Sequence, residues 1–420
     1  MKKSKVAGFL CILFLAVNMS FSRQTSLSIY NVVGVGIIST NSVVMQEIAG
    51  ITGNTNIYNA YGNFIAHLNI TPSFSFEQNF QADGILDVFL SRSYSTNDLS
   101  IMIRQANIDF LFWETFSINT GFLKVDYGFN SYFHPLNING FFPEFIEIYD
   151  RISVATEEKG FEGVPAIRAK VAFSDLFGKR LNIAFEQSLI WYDFSNFERN
   201  FHFSYLSFVY MSVNFGLIAA YSEEKKPVWG GNFSTLLPGS IMFFVETLYR
   251  TESFRPYVNN DLNMVSQKED GDYFNVSVRL EWSKPDPVLK NPVDLKFEYF
   301  YFAEGFNGDE FYNLAEYCEG PLNLISGKYN DLIIRNRNFR HYIYGFFGYT
   351  ITGWKLSFNY ELIASLDVPS FQHNFSITKA YNNAALTLGT VYNSSSDETV
   401  FEIVNYGMKW NVFLNFMLVI

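Results

Sequence analysis

The chain has 420 residues, with 30 Lys and Arg against 41 Asp and Glu and a formal net charge of −11. An acidic balance of this size disfavours nucleic-acid binding, because phosphate backbones select basic surfaces. Aromatics reach 19% of residues and charged side chains only 17%, yet beyond the first residues no apolar run reaches the ~18 residues that a membrane-spanning helix needs.

At the start of the chain Lys2, Lys3 and Lys5 precede an apolar stretch over 6–17, and Ser20 and Ser22 follow it. Charged, apolar and small residues in that order make a secretory signal peptide over 1–22, with cleavage expected after Ser22. Its removal takes the net charge from −11 to −14 through loss of the three lysines. Cys318 is then the only cysteine, so the exported chain has no internal disulfide. The next segment, 23–63, is apolar without clean alternation, which leaves a first strand and a lumen-lying piece both open.

From residue 64 to the end, 64–420, the pattern is that of strands. Phe64, Ala66, Leu68, Ile70, Phe74 and Phe76 alternate with His67, Asn69, Thr71, Ser73, Ser75 and Glu77. The same period of two appears over 274–282, 295–301 and 354–362, and less cleanly over 116–122, 164–173, 181–191, 213–221, 241–249, 342–350 and 384–392. A strand between lipid and water must change polarity at every residue. The fold class expected is therefore all-β, an antiparallel transmembrane β-barrel of about 16–18 strands by length. A soluble sandwich would also alternate, but the apolar faces here are large and aromatic in nearly every strand, and no fixed-period repeat points to a solenoid or propeller. Long polar connections are expected at 129–163, 222–239, 252–272 and 304–340. Short turns are expected at 175–178, 352–353 and 382–383.

Within this series, Gly121-Phe122-Leu123-Lys124-Val125-Asp126-Tyr127-Gly128, followed by Phe133-His134-Pro135-Leu136-Asn137, resembles a stretch of porin-like outer-membrane barrels of the alginate-export and phosphate-selective kind. Tyr127 stands where those families more often carry Trp, and the likeness covers about 20 residues. It implies that the loop over 129–151 folds toward the pore and narrows it, with Lys124, Asp126, His134 and Arg151 near a constriction. An ordinary external loop is the competing reading.

The last segment alternates from Val404 to Ile420, with Trp410, Val412, Leu414 and Phe416 on one face and Lys409, Asn411 and Asn415 on the other. Residues 405–412, Asn-Tyr-Gly-Met-Lys-Trp-Asn-Val, resemble the signal read by the outer-membrane assembly machinery. Such signals usually end the chain on Phe or Trp, so either the closing strand is long or the signal is the final residues.

The polar faces place Arg168, Lys170, Arg250, Arg279, Glu281, Lys296, Glu298, Lys355, Glu361 and Lys409 as pore-lining candidates. Mixed signs fit a water-filled channel better than a strict ion filter. Pairing of these charges across neighbouring strands is the plainer alternative. The five histidines, His67, His134, His202, His341 and His373, show no nucleophile or zinc spacing, and no Gly-x-Ser-x-Gly or phosphate loop occurs. No enzyme, cofactor or metal is expected.

The reading expected is an outer-membrane channel of a Gram-negative-type envelope that passes small hydrophilic solutes. Its partners would be membrane lipids, the assembly machinery and the solutes, with a homo-oligomer left open. The alternatives are a transporter of hydrophobic solutes of the fatty-acid type and a structural or adhesive surface barrel.

Overall fold

The structure is a computed structural model that describes residues 22–40, 55–76, 80–93, 99–112, 115–123, 125, 127–129, 132–133, 135–136, 164–176, 180–191, 200–222, 225–253, 257–258, 264–265, 271–318, 338–382, 384–395 and 408–419. Within those spans side chains are described over 106–416, except at Lys225, Tyr257, Met264, Val265, Met408 and Lys409.

The chain opens with β1 (Ser22–Thr40), β2 (Thr55–Phe76), β3 (Phe80–Ser93), β4 (Leu99–Phe112) and β5 (Phe116–Leu123). After a long connection come β6 (Val164–Leu176), β7 (Leu181–Trp191), β8 (Asn200–Tyr210), β9 (Val213–Ser222), β10 (Lys225–Leu237) and β11 (Ile241–Arg250). A small hairpin of β12 (Tyr257–Val258) and β13 (Met264–Val265) precedes β14 (Tyr273–Pro285) and β15 (Pro292–Tyr301). Helix α1 (Gly308–Tyr317) then leads to β16 (His341–Ile351), β17 (Leu356–Ser365), β18 (Ser370–Ala380), β19 (Ala384–Ser395) and β20 (Met408–Val419).

All strands but β12 and β13 join one 18-stranded sheet. Because β1 pairs antiparallel with β2 on one side and with β20 on the other, the sheet closes on itself. Closure leaves no unpaired strand edge, which a structure surrounded by hydrocarbon requires. Eighteen strands stand at the upper end of the range expected from length. Residues 22–40 and 55–63, left open between strand and lumenal piece, are hydrogen-bonded into this sheet.

Alternation decides which way each strand faces. On β14 Phe274 and Leu280 are exposed, while Asn275, Ser277 and Arg279 are buried. On β20 Trp410, Val412, Leu414 and Phe416 are each more than 40% exposed, with Asn411, Phe413 and Asn415 between them. The apolar faces thus point outward and the polar faces inward, the reverse of a water-soluble protein and the arrangement that lipid favours. The closing strand runs past the assembly-like motif to Val419 and pairs there with Tyr30, yet at 12 residues it is not unusually long, being shorter than each of β1 to β4.

The two ends of the barrel differ. Turns of a few residues join β4 to β5, β8 to β9, β10 to β11 and β16 to β17 at one end. Connections over 124–163, 251–272 and 302–340 lie at the other, which is the external end by the rule that barrels keep short turns on the periplasmic side.

Two expectations are corrected. The stretch 222–239, read as a long loop, is strand β10, paired with β9 and β11. Its Lys225-Lys226-Pro227 start and its Gly230-Gly231 pair hide the alternation, but a register shift between Lys225 and Val228 accommodates the proline. Beyond it Trp229 points out, while Asn232 and Ser234 are buried inside. Lys355 is not a wall residue. It lies after the short helical turn Thr352–Trp354 with φ of 50° and donates from Nζ to Asn382 Oδ1 at 2.9 Å. The alternation read from sequence had been carried two residues too far, into a periplasmic turn.

The external connections carry folded structure of their own. Asn307 caps α1, its side chain accepting from the Glu310 N–H while the Glu310 carboxylate accepts from the Asn307 N–H. Both Glu310 oxygens also accept from Arg340 Nη2, at 3.1 and 3.0 Å. Phe306, Phe311 and Leu314 pack with Val258 of the hairpin and with Phe300, Tyr342 and Tyr344 of the wall in one buried apolar cluster.

Candidate functional site

A short stretch after β5 enters the barrel. Tyr127, Phe133 and Leu136 are buried, and the Tyr127 N–H donates to the Leu136 carbonyl at 3.4 Å, closing the stretch into a bend. Backbone inside a protein must have its polar groups met, and here wall side chains meet them. Asn232 Nδ2 on β10 donates to the Tyr127 carbonyl at 2.6 Å. The Phe129 N–H donates to Glu246 Oε1 on β11 at 2.5 Å, and Arg279 Nη2 on β14 donates to the Phe129 carbonyl at 2.6 Å. The N–H groups of Tyr132 and Phe133 donate to the two oxygens of Glu298 on β15, at 2.7 and 3.2 Å, and Ser277 Oγ donates to the same carboxylate at 2.8 Å. Bonds to ionised groups are the stronger ones, so four wall residues act as a latch, with Ser277 bracing Glu298.

Ring packing reinforces it. Phe133 stacks on Phe300 with centroids 4.8 Å apart, and Tyr132 stacks on Tyr344 at 4.4 Å. Arg279 lies 4.3 Å from the centroid of Phe244, whose ring also packs on Phe129. The stretch therefore crosses the inner wall from β7 and β8, where Tyr127 meets Ser188 and Phe203, to Tyr344 on β16. Its two ends, Tyr127 and Leu136, lie in one apolar cluster, and Phe133 between them lies in another.

The structure places Arg168, Lys170, Arg250, Arg279, Glu281, Lys296, Glu298 and Glu361 on inward faces, as their positions among buried and exposed neighbours require. Most are paired. Arg168 Nε lies 3.0 Å from Glu186, and Arg250 lies 3.3 Å from Glu304 in the connection after β15. Glu281 is 3.4 Å from Arg279 and 3.5 Å from Lys296. Glu361 accepts from Tyr344 Oη and Asn374 Nδ2 at 3.3 and 3.2 Å. Lys409 belongs to β20, and its side chain lies outside the described residues, as do Lys124, Asp126, His134 and Arg151 altogether. The plainer reading of the wall charges, pairing across neighbouring strands, describes Arg168 with Glu186 and Lys296 with Glu281, whereas Arg250 pairs with the connection after β15 and Arg279 with Glu281 of its own strand.

Sequence reasoning gave Gly128 no role beyond its place in the motif and did not single out Asn232. Gly128 lies in close approach to the wall, since a Cβ there would lie 3.0 Å from Glu246 Oε2 and 3.2 Å from Oε1 and the carboxylate would have to give way. The glycine directly before the loop was a usable signal. Asn232 had none, because its strand was not recognised. Among the described residues no group of three or more His, Cys, Asp or Glu could hold a metal ion.

No protein-family model matches the chain, and no curated protein matches it. Solved structures do match in shape. OccAB1 from Acinetobacter baumannii has a TM-score of 0.53 at 9% identity, over 94% of this chain and 96% of that one. A BenF-like porin from Pseudomonas fluorescens Pf-5 has a TM-score of 0.51 at 10% identity, over 95% and 98%. OccK9 from Pseudomonas aeruginosa has a TM-score of 0.50 at 9% identity, over 95% and 99%. Across nearly its whole length, this chain is similar in fold to outer-membrane porins.

Proposed function

We propose that this chain is an outer-membrane channel that passes small hydrophilic solutes through a lumen narrowed by the stretch 127–136. The observation that carries the reading is the latch, in which Asn232, Glu246, Arg279 and Glu298 hold a loop inside a closed barrel with a polar inner wall. A packed interior would need no such loop, and a barrel that released hydrophobic solutes sideways would need a break in its wall, whereas the pairings run unbroken around the ring. The exposed apolar belt supports residence in the lipid of an outer membrane, reached by secretion through the segment 1–22. Lys170 and Lys296 are the lumenal charges most open to a passing solute, with Lys124, Asp126, His134, Arg151 and Lys409 as further candidates along the path. Purified protein inserted into a planar bilayer is expected to give discrete conductance steps. A folded, inserted protein that never conducts would overturn the reading.

A further inference from the structure

The short-turn end of the barrel carries a basic rim. The turns after β14, β16 and β18 are neighbours, because β15 pairs with β16 and β17 with β18, so strand spacing sets them about 10 Å apart. Lys284 and Lys290 flank the tip of the first turn, Lys355 ends the second and Lys379 precedes the third. Among the described residues none of the four pairs with a carboxylate. Three of them are held by neutral acceptors: Lys290 Nζ donates to the Pro287 carbonyl at 3.0 Å, Lys355 Nζ to Asn382 Oδ1 at 2.9 Å, and Lys379 Nζ to the Trp354 carbonyl. The two carboxylates nearest in the chain are engaged elsewhere, Asp286 with backbone N–H groups of its own turn and Asp294 with Ser283. Positive charge is thus left without a paired acid on this rim, in a chain whose net charge is −11.

Strand parity sets the direction of two of these lysines. Lys284 continues the outward series of Leu280, and Lys379 that of Phe371 and Phe375, all three exposed, so both leave the wall on its lipid side. Val288, Leu289, Trp354 and Tyr381 on the turns are each more than half exposed, and Lys379 Nζ lies 5.9 Å from the Tyr381 ring centroid. Trp and Tyr collect where hydrocarbon meets headgroups, and a lysine lays its stem along apolar surface while carrying its ammonium out to that layer. Ammonium groups there attract anionic lipids within a Debye length, and a phosphodiester oxygen is a stronger partner for them than a neutral carbonyl. Resting on the outer-membrane placement above but not on conduction, we propose that this rim is a binding surface for the phosphate groups of anionic phospholipids in the periplasmic leaflet. An acidic soluble protein fits it less well, because Lys284 and Lys379 face along the wall toward lipid.

The test uses the full-length protein in bilayers of phosphatidylcholine and phosphatidylglycerol, with a spin-labelled copy of either lipid reporting how much of it the protein holds. Phosphatidylglycerol is expected to be held several-fold more strongly than phosphatidylcholine, and high salt to erase most of that excess. The variant Lys284→Gln, Lys290→Gln, Lys355→Gln, Lys379→Gln, checked for its folded mobility on unheated gels, is expected to hold the two lipids nearly equally. The smaller variant Lys284→Gln, Lys379→Gln should lose a large part of the excess. Equal retention of the two lipids by the inserted wild type, the result a protein partner would also give, overturns the proposal and leaves the channel reading standing. So does an excess that both variants keep in full. A protein that does not insert into bilayers at all overturns the proposal together with the membrane placement.

Discussion

Glu298 and Phe133 stand 165 positions apart in the chain, yet the Phe133 N–H donates to the Glu298 carboxylate at 3.2 Å, beside the bond from the Tyr132 N–H at 2.7 Å. One wall side chain thus meets two successive backbone groups of the inward loop. Removing it takes the shared acceptor from both N–H groups, and each such hydrogen bond contributes on the order of 1 kcal/mol. Glu298→Ala is expected to free the stretch without breaking the barrel, because the ladder of β15 with β14 and β16 is made by backbone. In single-channel recording the variant should show larger and noisier open currents than the wild type, while thermal unfolding shifts little. Unchanged current would remove Glu298 from the latch.

Gly128 and Glu246 offer an independent test of the same latch. A side chain at 128 meets the carboxylate at 3.0 to 3.3 Å, so Gly128→Val must displace either the loop or Glu246. It is expected to reproduce the current noise of Glu246→Ala. Glu246→Gln keeps an acceptor for the Phe129 N–H and should stay near wild type. If Glu246→Gln and Glu246→Ala behave alike, the bond to Phe129 does not hold the loop.

Phe413 and Gly389 pair across β20 and β19, and a Cβ on residue 389 would fall 2.2 Å from the Phe413 ring. The ring covers the bare backbone of the glycine, and overpacking there is expected to cost about 1–3 kcal/mol. Gly389→Val should lower the temperature at which the folded band converts to the unfolded band on gels. The double variant Gly389→Val, Phe413→Ala should recover part of the loss. No recovery would mean that the clash is not the cause.

Asp286 organises the periplasmic turn between β14 and β15. Its carboxylate accepts from the N–H groups of Leu289 at 2.6 Å, Val288 at 3.0 Å and Asn291 at 2.9 Å. These bonds, that from Leu289 foremost, hold its pKa below the ordinary value. A depressed folded-state pKa gives stability that is present above the unfolded value, ~3.9 for Asp, and is lost as pH falls through the folded one. Denaturant resistance of the wild type should therefore fall in acid by more than that of Asp286→Asn. Parallel pH profiles for the two proteins would contradict this role.

Much of the barrel could be read from the chain, because a wall with lipid on one side and water on the other imposes its period of two residue by residue. Phe274 to Trp282 and Trp410 to Phe416 display it directly, and the strand total followed from length. Where glycine or proline removes one member of the alternation, as at Pro227, Gly230 and Gly231, the local signal fails and only pairing with β9 and β11 identifies the strand. Lys355 shows the opposite error, an alternation that continues by accident into a turn.

The sequence by itself determined a closed antiparallel barrel, its polar interior and the candidate charges on its wall. Tertiary structure alone decided which of those charges pair and which hold the inward loop. Alternation is local, written between adjacent residues, whereas Phe129 finds Glu246 across 117 positions and Arg279 across 150. Such a contact depends on where closure of the ring brings two distant segments, and no short pattern in the chain encodes that.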